Sequence, residues 1–122
     1  MTAEPSAFKL KIQVIDEDKA QQALVRWMRF MNLPVLHIPN EGKRSYALAA
    51  WLKSMGLRAG VYDLFLARAR QGFHGYWIEM KKFGKKLTPL QAEFGEQMRA
   101  EGYKAEYFTD WEAAKKSVEE YL

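Results

Sequence analysis

The chain has 122 residues, no cysteine, and 19 basic against 15 acidic side chains, a formal net charge of +4. That length carries one domain, residues 1–122, able to bury its own core without disulfides or a structural metal, and leaves no room for a second. With 48% hydrophobic and 28% charged residues it reads as a soluble globular domain. No apolar run approaches the roughly 18 residues of a bilayer span, and the basic excess suits a polyanionic partner without requiring one.

Residues 1–15 read as an N-terminal extension, with Phe8–Val14 alternating apolar and basic or polar as an edge strand does. The start, Met1-Thr-Ala-Glu-Pro-Ser6, has neither the basic nor the apolar region of a signal peptide. With no cysteine, a reducing cytoplasm is expected, bacterial or that of a phage-infected host. From Glu17 to about Met31, Ala20, Leu24, Met28 and Met31 recur every three or four residues, which predicts an amphipathic helix ending before Asn32-Leu-Pro34. Val35–Ile38 is a short strand and Pro39–Arg44 a polar loop. A second helix is expected from Ser45 to Met55, with Leu48, Ala49, Leu52 and Met55 on one stripe and Gly56 at its left-handed end.

Strands are expected over Val61–Ala67 and Tyr76–Lys82, joined by a hairpin through Arg70–Gly75. Thr88-Pro-Leu-Gln91 is a helix start: threonine caps, proline takes the first helical position and glutamine closes a capping box. That helix should end at Gly102. Tyr103–Phe108 alternates as a last strand, and Thr109-Asp-Trp-Glu112 repeats the capping-box pattern before a helix reaching Tyr121. The four tryptophans mostly fall on or beside apolar stripes and read as packing rather than base-stacking groups. This order implies an α/β fold, a mixed central sheet flanked by helices on both faces.

The chemistry lies between Gly60 and Lys81. Aspartate is disfavoured in strands, yet Asp63 opens one apolar run while Glu79 and Lys81 interrupt another. Strand alternation sends Glu79 and Lys81 to one face and Ile78 and Met80 to the other, and the hairpin would set Asp63 beside Glu79. Two carboxylates and an ammonium in one patch suit a hard divalent cation acting on a phosphate. The bland alternative is a cross-strand salt bridge on a solvated face. Two histidines and no cysteine make a zinc site a poor fit, and His37 reads as a hydrogen-bonded strand residue.

Asp63 followed by Glu79-Met-Lys81 at the ends of adjacent strands resembles the PD-(D/E)XK nuclease superfamily. Added to these are Glu17 with Gln21, His37-Ile-Pro-Asn-Glu-Gly42, Met55-Gly-Leu-Arg-Ala-Gly-Val-Tyr-Asp63 and Leu87-Thr-Pro-Leu-Gln91. Together these motifs are similar to the VRR-NUC family, the virus-type replication and repair nucleases, over roughly Asp16–Leu122. The family's proline before the metal-binding aspartate is Tyr62 here. The resemblance implies a metal-dependent endonuclease hydrolysing DNA phosphodiesters. Asp63, Glu79, the backbone carbonyl of Met80 and Glu17 would bind Mg²⁺ or Mn²⁺. Lys81 would orient or deprotonate the attacking water, and Gln91 would sit near the site.

Each of these residues has an ordinary role to set beside that one. An acid such as Glu17 is favoured in any first helical turn, and Gln91 is a capping partner whatever else it does. Gln21, Asn40, Lys43, Arg44, Lys82, Lys85 and Lys86 are the expected nucleic-acid contacts, against a reading as solvated helix face and turns. Branched DNA such as a Holliday junction and a homodimer are implied for a stand-alone member, with Phe8–Val14 as one dimer contact. A non-catalytic DNA-binding module on the same fold is the alternative, and a protein-interaction domain a third.

Overall fold

Ala20, Leu24 and Met28, four apart, are the residues that helix α1, Glu17–Phe30, buries. The computed structural model describes residues 17–39 and 44–122; the strand expected over Phe8–Val14, and Asn40 and Lys43, lie outside the described residues. Asn32 ends α1 in the left-handed region (φ 57), and the Leu33 N–H returns to the Met28 carbonyl at 2.9 Å. The chain then reverses into the short strand β1, Val35–His37.

Helix α2, Tyr46–Ser54, is capped by Ser45, whose hydroxyl accepts from the Leu48 N–H at 3.1 Å, and it ends at Gly56 (φ 108) as expected. Its packing differs from expectation: α2 has no buried residue, and Trp51 is 57% exposed, so this tryptophan does not pack. Periodicity gives α2 an apolar stripe, but no described element lies against it to form a core.

Strands β2, Leu64–Leu66, and β3, Tyr76–Met80, are shorter than the sequence suggests and form the expected hairpin, closed by a bridge between Arg70 and Phe73. Gln71 (φ 54) and Gly72 (φ 84) supply the two left-handed residues of its tip. Helix α3, Pro89–Ala100, starts with the complete Thr88–Gln91 capping box, and β4 spans Lys104–Phe108. Helix α4, Trp111–Tyr121, is capped by Asp110 and not by Thr109; the aspartate accepts from the Glu112 N–H at 3.1 Å. An aspartate one residue closer caps at least as well as the threonine.

The sheet order is β1-β2-β3-β4, antiparallel except for the parallel β3–β4 pair. One face buries Leu64, Leu66, Tyr76, Ile78 and Met80 against Leu24 and Met28 of α1 and Ala114, Val118 and Tyr121 of α4. The other packs Tyr62, Trp77 and Ala105 against Phe94 and Met98 of α3. Helices therefore flank both faces of a mixed sheet. Among the described residues, no helix is long and apolar enough to cross a membrane.

Candidate active site

Leu64 pairs with Ile78 across the β2–β3 ladder, so the next step of that register sets Asp63 opposite Glu79. Both are buried, at 5% and 1% exposure. Glu79 is held at both oxygens. Its Oε1 accepts from the Asp63 backbone N–H at 2.9 Å, and its Oε2 accepts from Gln91 Nε2 at 3.1 Å, with Lys81 Nζ 4.0 Å away. Gln91 uses its other amide end as well, Oε1 accepting from the Thr88 N–H at 3.0 Å. One side chain thus completes a helix cap and orients a buried carboxylate.

The backbone of Asp63 is fixed from the β1 side. Its carbonyl accepts from the Ile38 N–H at 2.7 Å, and His37 Nδ1 lies 3.1 Å from the same oxygen. Gln21 Nε2 is 3.3 Å from that ring nitrogen, so α1 reaches the site through the imidazole. If Nδ1 carries the proton it donates to Asp63; if not, it accepts from Gln21. The sequence marks His37 as a hydrogen-bonded strand residue. Its tie to Asp63 emerges only from the strand register.

Beneath Asp63, Tyr62 is fully buried, its ring 5.2 Å from that of Phe94, and its hydroxyl, near the Arg99 guanidinium, makes no hydrogen bond of regular geometry among the described residues. Burial pushes its pKa up, more than the nearby Arg99 guanidinium pulls it down. The ring fits because residue 95, in the middle of α3, is glycine. A Cβ there would overlap the Tyr62 hydroxyl and stand 3.2 Å from Cζ. Arg99, one turn further on, ties α3 to β4 through the Ala105 carbonyl at 2.7 Å.

Of the residues singled out in the sequence, Asp63, Glu79, Lys81 and Gln91 come together, with the Met80 backbone between two of them. Glu17 opens α1 one turn before Gln21. Among the described residues, no group of three or more histidine, aspartate and glutamate side chains is placed to hold a metal ion. Lys82, Lys85 and Lys86 lie exposed on the turn after β3, where the Lys85 N–H bonds the Lys82 carbonyl, and Arg44 is half-buried just before α2.

The donor set suits a hard cation. Magnesium commonly takes one or two carboxylates and fills its octahedron with water and substrate phosphate. Asp63 and Glu79 are two adjacent carboxylates of that kind. A carboxylate offers about four lone-pair sites, and the Asp63 N–H and the Gln91 amide each take one at Glu79.

The VRR-NUC domain profile matches residues 10–109. The chain belongs to the VRR-NUC family. This is a nuclease family, and its match spans every residue of the Asp63–Glu79–Lys81–Gln91 group. A solved structure described as a "VRR_NUC domain protein" is similar over 88% of each chain, with 28% sequence identity and a TM-score of 0.77. A comparison with curated proteins finds no match.

Proposed function

We propose that this VRR-NUC domain is a metal-dependent DNA endonuclease, selective for branched DNA such as Holliday junctions, in replication, recombination or repair. The observation that carries this reading is the register that sets Asp63 opposite Glu79, with Lys81 Nζ 4.0 Å from the Glu79 carboxylate. Asp63, Glu79 and the Met80 carbonyl would hold Mg²⁺ or Mn²⁺, which would supply Lewis-acid polarisation of the phosphate and lower the pKa of water.

The chain's own groups do the rest. Gln91 and the Asp63 N–H fix the Glu79 rotamer, so the carboxylate does not reorganise as substrate arrives. Lys81, only 14% exposed at the site, orients the attacking water or takes its proton. Attack forms a new P–O bond, the P–O bond to the leaving oxygen breaks, and that oxygen takes a proton. Lys82, Lys85 and Lys86 meet phosphates of the bound strand, and no cysteine is present to conflict with a reducing cytoplasm.

A homodimer would set two such sites against a symmetric junction. The exposed apolar side chains of α2 and its C-cap support it: Tyr46 is 94% exposed, Trp51 57%, and Met55, just past the helix, 69%. Light scattering showing only monomers would remove the dimer.

The deciding experiment is cleavage of a labelled four-way junction, a flap, a single strand and a duplex, with Mg²⁺, Mn²⁺ or EDTA. Cleavage by the wild type with metal, absent in EDTA and in Asp63→Ala, is expected, with the junction cut fastest. Salt-sensitive binding without cleavage would instead leave a DNA-binding module.

A further inference from the structure

Helix α1 has two flanks. Ala23 and Trp27 face α4, where Lys115 Nζ lies 5.6 Å from the Trp27 ring centre. The opposite flank borders β1, an edge strand among the described residues, across an open groove of about 490 Å³, lined by Gln21, Gln22, Val25, Arg26, Arg29 and His37, with Arg26 on the crest between the two flanks. Every side chain but Val25 can donate a hydrogen bond, none is acidic, and two are permanent cations. Neither Arg26 nor Arg29 has a carboxylate partner among the described residues. An ordinary solvated helix flank mixes charge signs; this one presents a single sign along a concave wall.

The groove is tied to the candidate site through His37. Its near end is the Gln21–His37 pair, and His37 Nδ1 is 3.1 Å from the Asp63 carbonyl. Its far end, Arg29, is eight residues along α1 from Gln21, or about 12 Å at the helical rise. That span covers about three backbone steps at 3.4 Å each along a duplex strand.

We propose that this groove is the track of the nucleic-acid strand on one side of the cut, with Arg26 and Arg29 gripping its phosphates and Gln21 and His37 the step nearest the scissile bond. This rests on the nuclease reading, and it adds a second basic surface to the Lys82–Lys86 turn. Guanidinium groups suit the task because their fork matches phosphate oxygens and their charge does not titrate.

The test is equilibrium binding of a labelled four-way junction and a single strand by the full chain, in EDTA, over a series of KCl concentrations. Wild type is compared with Arg26→Ala/Arg29→Ala and with Arg26→Lys/Arg29→Lys. Removing one guanidinium–phosphate pair should flatten the slope of log K against log salt by about 0.7–0.9. The alanine pair should therefore bind about tenfold more weakly at low salt, with a slope shallower by about 1.4–1.8. The lysine pair should restore most of that slope, and the thermal melts of all three proteins should agree. An unchanged slope in the alanine pair, while the wild type binds and cleaves with metal, overturns the groove and leaves the nuclease. No binding by the wild type overturns both.

Discussion

Ile78 and Glu79 are neighbours in β3 and almost equally buried, at 0% and 1% exposure, yet the two faces they serve are built on opposite principles. Ile78 lies among Leu24, Met28, Met80 and Val118, where removal from water alone is stabilising. Glu79 lies opposite Asp63, where burying carboxylates costs several kcal/mol per ion before partners are counted. The Asp63 N–H, Gln91 and Lys81 offset part of that cost. One face makes the fold stable; the other spends stability to hold oxygen atoms in place. Residues on the two faces should therefore fail differently.

The largest effect is expected from Glu79→Gln, which keeps the shape and the acceptor for Asp63 but loses the charge. Cleavage should fall about a thousandfold, equivalent to about 4 kcal/mol of barrier. The melting temperature in EDTA should hold or rise, because one buried negative charge has gone. A parallel fall in both quantities would break the contrast between the faces. Ile78→Ala should do the reverse, destabilising the fold by about 3 kcal/mol in urea titration while each folded molecule cleaves at nearly the wild-type rate.

Alkaline pH gives a smaller, conditional effect. Burial raises the pKa of Tyr62, Tyr76 and Tyr121 in the folded chain, and at Tyr76 the hydrogen bond donated to Glu106 adds to it. The folded state then holds these protons more tightly than the unfolded one. Their contribution is complete below pH about 10 and is lost as pH rises above it. Urea midpoints should be level to about pH 9 and fall beyond, and Tyr76→Phe should flatten that fall more than Tyr62→Phe. The smallest effect belongs to Trp51→Glu in α2: under about 0.5 kcal/mol on the monomer, with any dimer weakened in light scattering.

Local chemistry is the legible part of this chain. The β3 alternation by itself separates Ile78 and Met80 from Glu79 and Lys81, and the Thr88–Gln91 box reads directly from four residues. Even the Asp63–Glu79 pairing follows from placing the hairpin tip, because an antiparallel register is fixed once one pair is known. What pattern reading misses depends on elements far apart in sequence. Periodicity shows that α2 has an apolar stripe but not whether anything covers it. The groove that Gln21, Arg26, Arg29 and His37 line exists only once β1 is laid beside α1. The competition between Thr109 and Asp110 for one cap turns on a single backbone step, finer than periodicity and capping patterns can separate.

The tyrosine under Asp63 also ties together two stretches far apart in sequence. The Tyr62 hydroxyl fills the space of a residue-95 side chain, so any Cβ there would force the ring or the helix to shift. Glycine stands at that position although alanine would favour the helix by about 1 kcal/mol. The residue beside the candidate-site aspartate thus limits what the middle of α3 can carry.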